Sequence, residues 1–121
     1  MSLFDALFVA HLVGDWILQN DWQAKNKSKS WWALISHVLI YHVLILGVLL
    51  YFVGSQPSVY IAVVLLAFSH LILDRQTTII WLMQRFHNSG DGTTPERWLM
   101  VAFDQALHIV LLGITAFVLT R

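Results

Sequence analysis

The sequence predicts an all-α, polytopic membrane protein: a four-transmembrane-helix bundle that forms a single domain over residues 1–121. Composition supports this fold class, because 58% of the residues are apolar and only 12% are charged. Soluble domains carry roughly 25% charged residues. Four apolar runs also approach the ~17–25 residues that a spanning helix needs, and polar or turn-forming stretches separate them.

The predicted spans cover residues 2–19, 33–54, 59–80 and 98–119. The first run lacks a basic segment and a small-residue cleavage site, so we expect a retained helix and not a signal peptide. A polar loop with Lys25, Lys27 and Lys29 follows it, whereas an uncharged turn around Pro57 joins the second span to the third. Residues 75–86 are amphipathic, and they either continue the third span into the cytoplasm or form a separate interfacial helix.

The distribution of charge predicts the orientation and excludes several classes of partner. Lysines and arginines lie in or beside the first and third loops, and only Arg121 lies on the opposite side. Because basic residues mark the cytoplasmic side, both termini are predicted to lie outside a bacterial inner membrane. The net charge of zero gives no indication of a nucleic-acid partner, and the absence of cysteine excludes thiolate metal sites.

Three pairs of histidine and aspartate, each four residues apart, lie inside the apolar runs. They are His11 with Asp15, His70 with Asp74 and, in reverse order, Asp104 with His108. A spacing of four places both side chains on one helix face, where they can share an ion. One aspartate within a span costs on the order of 2.5–3.5 kcal/mol on insertion scales, so three aspartates require compensation.

All these pairs, together with His37 on the second span, fall in the cytoplasmic half of the membrane at ~1.5 Å per residue. The predicted metal ligands are therefore His11, Asp15, His37, His70, Asp74, Asp104 and His108. Seven candidates suit two ions, or one ion with a general base and supporting carboxylates. A single pair could equally be a hydrogen bond between helices, so the convergence of three pairs is what favours metal binding.

Other polar residues near this layer receive supporting or neutral roles. Asp15 and Asp104 are the candidate catalytic bases, where they are not occupied as ligands. The candidates for substrate binding or for supporting the ligands are Gln19, Lys25 and Gln105. Lys25 can equally be an interfacial lysine, which is the role expected for Lys27 and Lys29.

Two residues inside the spans are assigned to packing. His42 lies five positions after His37 and faces away from it, so we assign it to packing or hydrogen bonding. Gly14 is expected to permit close approach of two helices, as small residues do in membranes.

The combined pattern resembles an uncharacterised family of small bacterial and phage integral membrane proteins. The shared marks are His11-x-x-Gly14-Asp15-x-x-x-Gln19, the histidine His37 in the second helix, His70-x-x-x-Asp74 and Asp104-Gln105-x-x-His108. The resemblance covers essentially the whole chain, and it implies no activity because the family has no known function. A looser similarity to inner-membrane metal-dependent hydrolases implies only a reaction class.

These observations favour a membrane-embedded metal-dependent hydrolase that acts on a lipid or lipid-phosphate substrate at the cytoplasmic side. The ion is predicted to be zinc, with manganese or iron as alternatives. One alternative function is a divalent-cation transporter or channel subunit, which would require a homo-oligomer because four short helices leave little room for alternating access. The other is a structural metal ion or His/Asp network without catalysis.

Overall fold

The computed structural model describes residues 1–86 and 95–121, and every regular element in these two ranges is a helix. The elements in order are α1 (Leu3–Leu12), a π-helical turn (Val13–Ile17), α2 (Asp21–Asn26), α3 (Trp31–Val53), α4 (Pro57–Asp74), α5 (Thr77–Phe86) and α6 (Arg97–Leu119). The predicted all-α class is therefore confirmed. The loop predicted before the last span lies largely outside the described residues.

Three helices among the described residues, α3, α4 and α6, are long and apolar enough to cross a membrane by length and composition. The prediction of four spans is wrong for the first segment. Residues 2–19 contain the ten-residue α1 and a five-residue π-helical turn in place of one continuous span. Ten residues cover only about 15 Å, half of the ~30 Å hydrocarbon core.

The third apolar segment is divided into two helices. α4 ends at Asp74 and α5 begins at Thr77, so residues 75–86 contain a separate helix, which was one of the two alternatives. Gln76 adopts a left-handed conformation with φ of 66°, and its N–H donates to the Leu73 carbonyl at 3.0 Å. This reversal ends α4 directly after Asp74.

α1, α3, α4 and α6 pack in a ring, in which each helix contacts two neighbours. At one end of the ring the core is apolar, and its fully buried members include Leu7, Ile45, Leu49 and Val59. At the other end the buried side chains are polar: His11, Asp15, Gln23, His37, His42, His70, Asp74 and His108. The ring thus positions a polar cluster at one end of an otherwise apolar bundle.

The first segment lies against α3 at Gly14, as predicted for this residue. A Cβ atom at Gly14 would lie 2.8 Å from Tyr41 Cδ2 and 3.4 Å from Tyr41 Cα. The 2.8 Å approach is to the buried ring of Tyr41, so even a methyl group at this position would require the ring to shift. Gly14 therefore fixes how closely the first segment approaches Tyr41.

The loop between the first segment and α3 folds back onto the bundle. Asn20 Oδ1 accepts a hydrogen bond from the Gln23 N–H at 2.8 Å, and Gln23 Oε1 accepts one from the Asn20 N–H at 3.2 Å, so the two form a capping box. Gln23 is buried, and its Nε2 donates to Ser36 Oγ of α3 at 3.0 Å. These contacts fix the path of the chain toward Lys27.

Candidate metal centre

Four buried side chains from three elements direct ligand atoms at a common point. Asp15 Oδ1 lies 2.9 Å from His37 Nε2 and 3.8 Å from His70 Nε2. Asp74 Oδ2 lies 3.3 Å from His37 Nε2 and 3.2 Å from His70 Nε2. Ligand atoms about 2.0–2.1 Å from a tetrahedral zinc ion are roughly 3.3 Å apart, so this group has the dimensions of a metal site.

The hydrogen bonding of these atoms is incomplete. Asp15 Oδ1 and His37 Nε2 are buried and lie 2.9 Å apart without the geometry of a hydrogen bond, and among the described residues neither has another hydrogen-bond partner. A buried polar atom without a partner costs about 1–3 kcal/mol. An ion that both atoms would contact explains why they face each other.

A second group shares Asp74 and adds two side chains of α6. Asp74, Asp104 and His108 offer ligand atoms within 4.8 Å of one another. His108 Nδ1 lies 2.8 Å from the Asp104 carbonyl oxygen and must carry the proton, since a carbonyl only accepts. The lone pair of His108 is therefore on Nε2, which lies 3.6 Å from Asp74 Oδ1. Asp74 connects the two groups through its two oxygens.

His11 lies beside both groups and in neither. Its Nδ1 is 2.9 Å from the Tyr41 hydroxyl and its Nε2 is 2.8 Å from Gln105 Oε1. Because an amide oxygen only accepts, Nε2 carries the proton and Nδ1 accepts from Tyr41. Both nitrogens of this predicted ligand are thus engaged. The π-helical turn begins at Val13 and shifts the helical register, which separates His11 from Asp15.

Gln105 connects the first segment to α6. Its Oε1 accepts from His11 and from Trp16 Nε1, the latter at 3.2 Å, while its Nε2 donates to Asp15 Oδ2 at 2.7 Å. Gln105 Nε2 also lies 3.4 Å from Asp104 Oδ2. This amide therefore holds one oxygen of Asp15 and leaves the other directed at His37. Of the two roles left open for Gln105, the geometry favours support of a ligand.

Lys27 enters the cluster, and the expectation of an interfacial lysine is wrong for it. Its Nζ lies 2.9 Å from Asp74 Oδ2 and 3.9 Å from Asp15 Oδ1, and its side chain is 14% exposed. Burial lowers the pKa of Lys27, but the two carboxylates together raise it more, so the pKa lies above its ordinary value. The ammonium group is therefore charged at neutral pH. The sequence could not predict this position, because Lys27 lies in a loop, where helical periodicity does not apply.

The remaining candidates lie at the margin of the cluster. Lys25 is exposed on α2, and Gln19 is half-buried. Gln19 Oε1 is buried without a hydrogen-bond partner among the described residues. His42 Nδ1 donates to the Val38 carbonyl at 2.8 Å, in agreement with its assignment to hydrogen bonding.

A family model described as a protein of unknown function, DUF3307, matches residues 3–121, and the chain therefore belongs to this family. The predicted membership of an uncharacterised family is confirmed. Neither a curated protein nor a solved structure gives a significant match. The family assigns no activity, and the function must be inferred from the geometry of the site.

Proposed function

We propose that this DUF3307 protein is a membrane-embedded metal-dependent hydrolase that acts on a lipid or lipid-phosphate ester at the cytoplasmic side of a bacterial inner membrane. The observation that carries the proposal is the buried group Asp15, His37, His70 and Asp74, whose ligand atoms all lie within 4.8 Å of one another. Two imidazole nitrogens and two carboxylate oxygens form a donor set that suits zinc, with manganese or iron as alternatives.

The charges of the cluster favour one ion over two. Asp15, Asp74 and Asp104 contribute three negative charges, and Lys27 contributes one positive charge. One divalent ion neutralises the two charges that remain, whereas two ions would leave an excess of positive charge in a buried site. We therefore place one ion in the first group and leave Asp104 and His108 free for proton transfer.

A bound divalent ion would supply a Lewis acid and lower the pKa of a water to about 7. Asp104 is the candidate base, because its Oδ1 is buried without a hydrogen-bond partner among the described residues. His108 is held beside it, because its Nδ1 donates to the Asp104 carbonyl oxygen at 2.8 Å. Gln105 keeps Asp15 in position through its 2.7 Å hydrogen bond. Lys27 would repel an ion beside Asp74 and could then pair with an anionic group of the substrate.

The surroundings support a lipid substrate at an interface. Exposed tryptophans occur at the polar end of the bundle, namely Trp16, Trp22, Trp31, Trp32 and Trp98. Tryptophan is enriched where a membrane meets water. The lysines and arginines also lie in segments at this end, except Arg121, which supports a cytoplasmic location.

A transport function is less well supported. The described core beyond the cluster consists of apolar side chains such as Leu7, Ile45 and Leu49, and a permeating cation would need polar groups there. A structural ion is the second candidate, because four protein ligands can close a tetrahedral site, whereas catalytic zinc sites keep one position open. Which of the two applies depends on Asp74. If Asp74 pairs with His108 and Lys27 and does not bind the ion, three protein ligands remain and one position is open.

Metal analysis of protein purified in mild detergent without chelators tests the proposal. We expect about one zinc per chain, and loss of metal and of lipid-ester turnover in His70→Ala. His42→Ala is the matched control, since His42 is also a buried histidine and bonds its own helix. Absence of metal together with indifference to chelators would reject the proposal. Metal without turnover of any phosphoryl or acyl ester would indicate a structural ion, and zinc uptake into vesicles would indicate transport.

A further inference from the structure

Trp16 lies at the surface of the polar end, but its indole N–H is directed at a residue of the cluster. The side chain is 61% exposed, and its Nε1 donates to Gln105 Oε1 of α6 at 3.2 Å. A tryptophan that only anchors a protein at a membrane interface keeps its ring in lipid and its N–H on the wet side. Trp98 fits that role, because its Nε1 donates to the exposed Glu96 beside it. The N–H of Trp16 requires another explanation.

The side-chain amide of Gln105 could occupy its place in two orientations. A rotation of about 180° around its last bond exchanges Oε1, which accepts hydrogen bonds, with Nε2, which donates them. In the structure Oε1 accepts from His11 and Trp16, while Nε2 donates to Asp15 Oδ2 at 2.7 Å. In the other orientation Oε1 would face the Asp15 carboxylate and repel it. The position of Asp15 therefore depends on what selects the orientation of this amide.

His11 does not select the orientation, because its hydrogen bonds can reverse. An imidazole ring can carry its proton on either nitrogen, and the Tyr41 hydroxyl can donate or accept. If the amide turned, its Nε2 could donate to His11 Nε2, and His11 Nδ1 would then donate to the Tyr41 hydroxyl, 2.9 Å away. His11 and Tyr41 are thus compatible with both orientations.

Trp16 selects the orientation, because its hydrogen bond cannot reverse. An indole nitrogen only donates, so it can face Oε1 of Gln105 but not Nε2. Asp15 favours the same orientation, but Asp15 is the group that the amide must position, and an independent contact has to hold the amide. Asp104 adds little, since its Oδ2 lies 3.4 Å from Nε2. Among the described contacts of this amide, that of Trp16 is independent of Asp15 and fixed in direction.

We propose that Trp16 is a positioning residue of the metal centre: its indole N–H fixes the orientation of the Gln105 amide, which in turn holds Asp15. Asp15 Oδ1 thereby stays directed at His37 Nε2, 2.9 Å away. Trp16 and Asp15 are neighbours in the π-helical turn, so one segment supplies a proposed ligand and the donor that orients it. The effect on metal binding rests on the proposed function, whereas the hydrogen bond joins two side chains and needs no ion.

Exchange of indole N–H groups with deuterium tests the hydrogen bond without metal. In the full-length protein, with isotope-labelled tryptophan and in detergent micelles, the N–H of Trp16 should exchange about fivefold more slowly than that of Trp22. Trp22 is the matched comparison, since it lies at the same end, is 51% exposed and takes no part in the Gln105 contacts. Gln105→Leu should remove the difference. Equal rates in the unaltered protein, or protection that survives Gln105→Leu, would overturn the proposal.

A double-mutant cycle on zinc affinity tests the positioning role. Trp16→Phe keeps an aromatic ring and removes the N–H, and we expect a roughly threefold to tenfold loss of affinity, less than in Gln105→Leu. In the Gln105→Leu background Trp16→Phe should have no further effect, because Trp16 acts through the amide. Trp22→Phe is the control and should leave affinity unchanged.

The two measurements separate this proposal from the proposed function. Unchanged affinity in Trp16→Phe, or additive losses in the double variant, would overturn the positioning role of Trp16. A protein that binds no zinc but protects the Trp16 N–H through Gln105 would reject only the proposed function, and the contact that orients the amide would stand.

Discussion

The two ends of the bundle bury different kinds of side chain. At one end the described side chains that are fully buried are apolar, such as Leu7, Ile45 and Leu49. At the other end, His37, His70 and Asp74 are buried almost completely although they are polar. In a membrane the apolar end gains little from leaving lipid and depends on close packing. The polar end carries a desolvation cost that only charge pairing or an ion can offset. The two ends should therefore respond to different perturbations, namely cavities at one and charge or metal removal at the other.

The largest effect is expected for Asp74→Ala. Asp74 faces Lys27, His37, His70 and His108, so its removal leaves a buried ammonium group without its closest partner. Breaking a buried pair in this way costs about 3–5 kcal/mol. We also expect metal affinity to fall by more than the roughly 10–100-fold that loss of a supporting residue costs. Thermal unfolding and metal analysis measure both effects.

The control for Asp74→Ala is Asp5→Ala. Asp5 is exposed in the capping box of α1, so its loss should lower stability only slightly and leave metal binding unchanged. Stoichiometric metal retained by Asp74→Ala would refute the assignment of Asp74 as the residue that connects the two ligand groups.

Gln105→Leu should have a smaller effect that is specific to the polar end. The variant removes the amide that holds His11 and Asp15, and we expect a roughly 10–100-fold loss of metal affinity. A competition titration with a zinc chelator measures this loss. Thr115→Val on the same helix is the control, because Thr115 bonds only a carbonyl of its own helix. Unchanged affinity in Gln105→Leu would show that Asp15 is held by other contacts.

Leu49→Ala tests the apolar end. Leu49 is fully buried, and in lipid only the cavity term of about 24 cal/mol per Å³ applies, which gives roughly 1–2 kcal/mol for a cavity of three carbon atoms. Metal affinity should not change, and Leu39→Ala, at an exposed position, should alter stability by less than about 0.5 kcal/mol. Weaker metal binding in Leu49→Ala would show that the two ends are coupled.

Lys27→Gln should act with opposite signs on metal binding and on stability. Its ammonium group repels an ion beside Asp74, so we expect about tenfold tighter metal binding, or ~1.4 kcal/mol, and lower stability of the metal-free protein. Lys29→Gln is the control, because Lys29 is exposed. If Lys27→Gln weakens metal binding, Lys27 supports the ligands and does not compete with the ion.

The sequence predicted the polar residues of regular helices well. His70 and Asp74 lie within α4, and Asp104 and His108 lie within α6, so a spacing of four residues placed each pair on one face. His37 was predicted to lie at the same level because the depth of a residue in the membrane can be counted along a helix from its sequence. These inferences required only that the helices be continuous around the residues concerned.

Residues outside regular helices escaped the same reasoning. His11 and Asp15 have the same spacing, but a π-helical turn starts between them and no propensity in this segment predicts it. Lys27 reaches the cluster because Gln23 anchors its loop to Ser36, a contact that depends on the tertiary fold. α4 ends earlier than predicted because Gln76 adopts a left-handed conformation, and hydropathy alone cannot predict such a conformation.

The π-helical turn also restricts how this segment can evolve. The Leu18 N–H bonds the Val13 carbonyl at 2.9 Å and so encloses one residue more than an α-helical turn would. Deleting one residue would restore an α-helical turn and rotate the chain on one side of it by about 100°. Asp15 and Gly14 could then no longer face His37 and Tyr41 together. In an alignment of the family we expect the exposed Ile17 to vary freely and insertions and deletions to be absent from this stretch.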